Sequence, residues 1–314
     1  MRKKFSIFVK YVISFGLLGA LFLKTNFEQL LESIYKLKTE TLVLVAILYF
    51  FAIFISSFKW FLLLSQFKIL DLFKLNLIGN YYSLILPGQL TGDLVKAYKM
   101  GKGQKDAEQI AVSVLIDKIT GVIGLFIVGI IGVFLTNAGI PSSIGWILLI
   151  GTISGVLILL SINFTYIYNI ILDILLWFSK KTTRFKQIIR RGILLINTWR
   201  DYSRKIVMIS LSVIIGVIFQ VVVVMISFIL ARELDINLPF IDWCWILGVV
   251  SLIVLLPFTI GGIGLREGAF IGILGWLGVS SEKALALSLS VFALQIIGAL
   301  VGAFFDFTMK IERR

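Results

Sequence analysis

Long uninterrupted apolar runs dominate this chain and leave it few ways to fold. A run of about 18 or more apolar residues reads as a helix crossing roughly 30 Å of hydrocarbon. In lipid each backbone N–H and C=O must be satisfied inside its own segment, so helices are the economical solution. Residues 5–23, 41–66, 109–135, 144–170, 206–231 and 283–308 read as such spans. Two further apolar stretches, 72–95 and 240–279, are interrupted by Pro and Gly. The expected fold is all-α: a polytopic transmembrane helix bundle of about six full spans plus two broken re-entrant hairpins in an inverted-repeat arrangement. It reads as a single transmembrane domain over 1–314, with halves at about 1–135 and 144–308 and a basic link at 171–205.

Composition narrows the chemistry. Only 15% of the 314 residues are charged, against roughly a quarter in soluble domains. There is no histidine, and Cys244 is the single cysteine. That excludes an intrachain disulfide, Cys/His metal sites and histidine catalysis, and no metal or cofactor is expected. The net charge of +13 does not point to nucleic acid, because the cations sit in short links between apolar runs. That is the placement of topology and anionic-lipid signals. Met1-Arg2-Lys3-Lys4 ahead of an apolar run resembles a secretory signal, but no small-residue cleavage site follows near Lys24-Thr25-Asn26, so this segment reads as a retained first helix.

The charged links suggest an orientation. Lys96, Lys99, Lys102 and Lys105 fill the link 96–108, and the link 171–205 carries Lys180, Lys181, Arg184, Lys186, Arg190, Arg191, Arg200, Arg204 and Lys205. The link 232–242 is acidic on balance, with Glu233, Asp235 and Asp242 against Arg232. Putting the basic links in the cytoplasm of a plasma-membrane protein places both termini inside. Stretch 72–95 then enters and returns from the cytoplasmic side. Stretch 240–279 does so from the outside, with three crossings in that region as the alternative. Within 171–205, Ile170, Ile171, Ile174, Leu175 and Phe178, and then Phe185, Ile188, Ile189 and Leu195, recur at helical spacing among cations. Amphipathic helices on an anionic leaflet and an extended basic loop both fit that pattern.

The two interruptions carry the most information. The first reads Leu86-Pro87-Gly88-Gln89-Leu90-Thr91-Gly92-Asp93, and the second runs from Leu256-Pro257 through Gly261, Gly262 and Gly264 to Arg266-Glu267. Proline removes an N–H and breaks the preceding turn, and clustered glycines admit bends that other residues resist. Open backbone at membrane depth is tolerated where protein or a water-filled cavity surrounds it. Two broken segments in corresponding positions are the signature of an inverted-repeat transporter with a midplane site. The helices that restart after each glycine cluster would aim free N–H groups at an anion such as a lipid phosphate.

Other polar positions form stripes. Ser113, Asp117, Thr120, Gly121 and Gly124 share a helical face, and an intramembrane carboxylate is by default a functional hypothesis. An Asp117–Lys118 pair near the membrane surface is the plainer reading. Ser288, Gln295, Gly298, Gly302 and Asp306 make a similar stripe, in which Gly298-x-x-x-Gly302, like Gly151-x-x-x-Gly155, reads as a packing motif. Lys59 and Trp60 read as a snorkelling and interfacial pair. Asn76 and Asn80 share one face of the first hairpin and could line a cavity.

Taken together, Leu86-Pro87-Gly88 with Gly92-Asp93, the internal Asp117-Lys118, and Pro257 with Gly261-Gly262-x-Gly264-x-Arg266-Glu267 resemble the lysylphosphatidylglycerol synthase transmembrane-region family of flippase-like membrane proteins. The resemblance covers nearly the whole chain. In that family such a region is fused to a soluble aminoacyltransferase and is held to move the modified lipid between leaflets. This chain ends at Arg314 just past its last apolar run, so the resemblance implies a stand-alone flippase-like module and no synthase activity. The sequence departs from the family at Gln89-Leu90-Thr91, where more glycine is usual, and at Lys96 and Lys118, where arginine is. Lysine keeps the charge but loses the bidentate fork for phosphate.

The expected function is movement of an anionic phospholipid or lipid-linked intermediate between leaflets. Pro87, Gly88, Gly92, Asp93, Lys96, Asp117, Lys118, Gly261, Gly262, Gly264, Arg266 and Glu267 would form the headgroup site, with no catalytic residue. Membrane lipids with anionic headgroups are the expected partners, beside a homo-oligomer or a separate lipid-modifying enzyme. An intramembrane transferase and a non-transporting scaffold or regulator are the rival readings. No phosphate-loop pattern is present, so energy would come from a gradient, lipid consumption or a partner.

Overall fold

A computed structural model describes residues 2–86, 90–102, 106–161, 163–181, 186–256 and 258–308. Among the described residues the chain forms thirteen helices and no strand. They are α1 (Arg2–Lys24), α2 (Phe27–Tyr35), α3 (Thr39–Leu63), α4 (Ile69–Ile85), α5 (Thr91–Gly101), α6 (Ala107–Leu135) and α7 (Ser142–Ser161), then α8 (Thr165–Lys181), α9 (Lys186–Ser203), α10 (Ile206–Glu233), α11 (Phe240–Leu255), α12 (Leu265–Trp276) and α13 (Ser281–Thr308). Five of them, α3, α6, α7, α10 and α13, are long and apolar enough to cross a membrane. Helix α1 carries a shorter apolar stretch, Val9–Leu23.

Both interrupted stretches divide into two helices. At 17 and 16 residues, α4 and α11 are about 26 and 24 Å long at 1.5 Å per residue, so neither alone covers a 30 Å core. The order long helix, broken pair, long helix runs through α3–α6 and again through α10–α13. The packing follows the same scheme: α4 lies on α13, α11 lies on α6, and α3 lies on α10. Glycines permit these close approaches. A Cβ on Gly302 would meet the Leu77 backbone of α4, and one on Gly132 would meet the backbone at Trp245 of α11. Two large buried clusters result, one around Trp243, Trp245 and Phe270 and one around Trp60, Phe67 and Met100.

Contacts at the helix ends fix relative direction. At one end, Thr41 Oγ1 at the start of α3 donates to Glu233 Oε1 at the close of α10 at 3.0 Å, and Thr136 after α6 hydrogen-bonds Asp242 at the start of α11. Lys283, early in α13, donates to the Asp235 carbonyl at 3.1 Å. At the other end, Tyr202 donates to the Leu63 carbonyl at 2.6 Å, and Lys99 of α5 pairs with Asp306 near the close of α13. Helices α3 and α10 are therefore antiparallel, and the chain enters its two broken pairs from opposite ends of the bundle.

Two stretches differ in detail from the sequence reading. The run 144–170 divides, because α7 ends at Ser161 and α8 starts at Thr165. Asn163 sits in that turn, donating to the Ser203 carbonyl at 3.2 Å and accepting from the Ser203 hydroxyl at 2.8 Å, so the close of α9 satisfies the break. The link 171–205 is largely helical. Tyr168 donates to Asn197 at 2.8 Å and Arg200 lies over the Tyr168 ring, joining α8 to α9, with Ile189 buried and Arg190 and Arg191 exposed. Helix α7 lies on the rim, with Gly151 against Phe126 and Gly155 against Ile123, the packing role expected of that pair.

Candidate functional site: a charged cavity between the broken helix pairs

Two backbone breaks frame the site. In the first, α4 and α5 approach so closely that a Cβ on Gly92 would collide with the Gly79 carbonyl and the Ser83 hydroxyl. Pro87 and Gly88, expected in the site, lie outside the described residues, as do Gln89 and Pro257. In the second break Gly261, Gly262 and Gly264 have φ of +60, +76 and +85°, which suits glycine and disfavours side chains with a Cβ. The Gly264 N–H donates to Glu267 Oε2 at 2.6 Å, so the carboxylate caps the restarted helix. The breaks meet: a Cβ on Gly261 would sit 3.5 Å from the Leu84 carbonyl oxygen. Helix α1 lies across both, with Tyr11 donating to the Ile85 carbonyl at 3.2 Å and Ser14 accepting from the Ile260 N–H at 2.9 Å.

Beside the first break, five charges form a row of alternating sign. Lys59 Nζ stands 3.2 Å from Asp117 Oδ1, and Asp117 Oδ2 lies 3.7 Å from Lys96 Nζ. Lys96 reaches Asp93 at 3.0 Å, and Asp93 reaches Lys118 at 3.2 Å. Lys59, Lys96 and Asp117 are only 5, 4 and 5% exposed, so each is held by its neighbours rather than by water. Lys96 also donates to Asn76 at 3.1 Å, and Asn76 donates to Ser57 at 2.8 Å. The Trp60 ring lies under Lys96 at 4.8 Å, and its Nε1 donates to Ser113 at 3.0 Å.

This corrects the surface reading of Lys59 and Trp60. Trp60 is fully buried, and Lys59 turns inward because Asp117 offers both its carboxylate and its carbonyl oxygen, the latter at 2.6 Å. Gly121 leaves room for the ammonium: a Cβ there would lie 3.0 Å from Lys59 Nζ. Lys118, by contrast, keeps a 35% exposed side chain.

Beyond the second break, Arg266 donates through Nε and Nη2 to Glu267 Oε1 at 3.2 and 3.1 Å. Its Nη1 donates to Gln295 at 2.7 Å, and the guanidinium lies 4.5 Å from the Phe292 ring centroid. Glu267 also accepts from Ser288 at 3.2 Å. The stripe of α13 read from the sequence thus supplies both polar supports of this pair.

A cavity of about 440 Å³ joins the two groups. Asp93, Lys96, Asp117, Lys118, Gly261 and Arg266 line it among the residues expected in the site, with Asn76 and Asn80 beside them. Gly92 stands behind it in the α4–α5 contact, Glu267 behind Arg266, and Gly264 against Leu17 of α1. Lys59, Gln220, Ser227 and Ser251 also line the cavity and were absent from the expected site. Gln220 carried a usable signal, as a lone amide in the middle of an apolar run. Apolar Val223, Leu247 and Val250 complete the wall.

Comparison with known proteins adds one finding. The sequence model of the family described as "Lysylphosphatidylglycerol synthase TM region" matches residues 7–302. Neither a curated protein nor a solved structure matches the chain.

Proposed function

The chain belongs to the lysylphosphatidylglycerol synthase transmembrane-region family, and on that premise we propose that it moves an anionic phospholipid or lipid-linked intermediate between membrane leaflets. The observation that carries this reading is the cavity shared by both broken helix pairs and lined by four cations, Lys59, Lys96, Lys118 and Arg266. A volume of 440 Å³ falls in the range of small-molecule sites. It suits a polar headgroup whose acyl chains stay in the bilayer. Phosphate oxygens would meet the Lys118 ammonium, the most exposed cation of the row, with the amides of Asn80 and Gln220 addressing neutral headgroup atoms.

The antiparallel order of α3 and α10 favours two hairpins inserted from opposite sides. The contact of Lys283 with Asp235 at 3.1 Å supports this, since it holds the two flanks of the second hairpin at one end of the bundle. With the basic link 171–205 facing the cytoplasm, both termini would be cytoplasmic in a plasma-membrane protein. The hairpins of the two halves would alternate the cavity's exposure by rocking about α3 and α10.

Each carboxylate at the cavity is held by a cation: Asp93 by Lys96 and Lys118, Asp117 by Lys59 and Lys96, Glu267 by Arg266. That arrangement suits charge-balanced binding better than a free general base, and favours transport over an intramembrane transferase. Reconstitution into liposomes with leaflet-resolved readout and mass analysis of the lipids tests this. Transfer of lipid of unchanged mass is expected; a covalently altered lipid without transfer would replace the transporter by an enzyme.

A further inference from the structure

We propose that the cavity is charge-matched to one negative charge, so that the lipid it accepts carries a monoanionic phosphodiester headgroup. This rests on the transport reading above and narrows its substrate class. Among the described residues, four cations bear on the cavity, and three carboxylates oppose them: Asp93 and Asp117 in its wall and Glu267 on Arg266 at 3.1 Å. Pro87, Gly88, Gln89 and Pro257, the residues at the breaks outside the described ones, carry no charge. One positive charge is in excess.

Its location follows from the pairing. Arg266 and Glu267 cancel each other, so the excess belongs to the row Lys59–Asp117–Lys96–Asp93–Lys118, which alternates in sign and ends in a cation at both ends. The Lys59 end is closed by the Asp117 carbonyl oxygen. The Lys118 end is the more exposed, and its ammonium pairs with Asp93 at 3.2 Å. A phosphodiester beside Lys118 would extend the alternation by one member and bring the cavity to neutrality. A headgroup with two or more negative charges would reverse the sign inside low-dielectric walls, and a zwitterion would leave the excess in place; both carry an electrostatic penalty that the monoanion avoids.

The test uses the purified full chain and three lipids with identical labelled acyl chains: phosphatidylglycerol, phosphatidylcholine and phosphatidylinositol 4-phosphate. Transfer is measured in proteoliposomes. Binding is measured in detergent as thermal stabilisation by the dihexanoyl forms and by glycerophosphoglycerol, which has the headgroup but no chains. Phosphatidylglycerol should lead both rankings by roughly tenfold or more. Lys118→Gln, which removes the excess, should move the preference toward phosphatidylcholine. Asp93→Asn, which doubles the excess, should move it toward the polyanion. Transfer with no charge ranking, or with a ranking that neither variant shifts, overturns the inference while leaving transport standing. A charge ranking in binding without transfer supports the inference and removes the transport reading. Glycerophosphoglycerol binding as strongly as the lipid overturns the assignment to a lipid in favour of a soluble phosphodiester.

Discussion

Lys59 of α3 makes two contacts with one residue of α6: its ammonium donates to the Asp117 carbonyl oxygen at 2.6 Å and stands 3.2 Å from the Asp117 carboxylate. This pair ties the long helix before the first break to the long helix after it. Removing one partner of a buried pair costs about 3–5 kcal/mol, because the other charge stays buried. Lys59→Met should therefore lower the melting temperature of the purified protein clearly, and Lys59→Met with Asp117→Asn should recover most of the loss. An interfacial, snorkelling Lys59 would instead make the single substitution nearly silent.

Gly92 and Gly272 should answer differently to the same change. A Cβ on Gly92 meets the Gly79 backbone, which cannot swing aside as a side chain can, while nothing lies within 4 Å of one on Gly272. Overpacking costs about 1–3 kcal/mol. Gly92→Ala should lose stability in a thermal melt, and Gly272→Ala should match or exceed the parent, since alanine favours a helix interior over glycine.

Arg266 uses its whole fork, with Nε and Nη2 on Glu267, Nη1 on Gln295 and its plane on Phe292. A lysine keeps the charge and gives up this geometry. With a charge-assisted hydrogen bond worth about 1.5–3 kcal/mol, Arg266→Lys should remain folded by gel filtration while transfer falls roughly tenfold or more. An unchanged rate would show that only charge is needed there.

Membrane sidedness can be read with single cysteines, because Cys244 is buried and can be replaced by alanine. Ser65→Cys, Lys102→Cys and Arg204→Cys should react only with a cytoplasmic reagent. Asn237→Cys and Ser280→Cys, flanking the second broken pair, should both react only from outside. Labelling of those two from opposite sides would mean that the second stretch crosses the membrane.

Much of this architecture was legible in the sequence. Apolar run length predicts the long helices because a bilayer leaves a backbone few alternatives. The Leu-Pro and glycine clusters mark where that rule is locally broken. Asp117 stood out because it shares a face with Ser113 and Thr120 inside an apolar run, and that face is buried here. Partnership was harder to read. Nothing in the local sequence of Lys59 distinguishes an ammonium that snorkels outward from one that turns toward a carboxylate 58 residues on. Ser14 looks like any hydroxyl in a first span, yet it satisfies the Ile260 N–H in the second break. Such pairings are set by how helices distant in the chain stack, which periodicity along one helix does not encode. The turn at Asn163 escaped for the same reason, since its partner Ser203 lies 40 residues away.

Leaflet-resolved transfer of labelled phosphatidylglycerol in proteoliposomes, with the parent chain beside Lys96→Gln, measures whether the cation row carries an anionic lipid across the bilayer. Lys96 is the middle cation of the row, between Asp93 at 3.0 Å and Asp117 at 3.7 Å. Transfer by the parent well above protein-free vesicles is expected, with a folded Lys96→Gln variant slowed roughly tenfold or more. No transfer by the parent, or a Lys96→Gln variant as fast as the parent, would contradict that role.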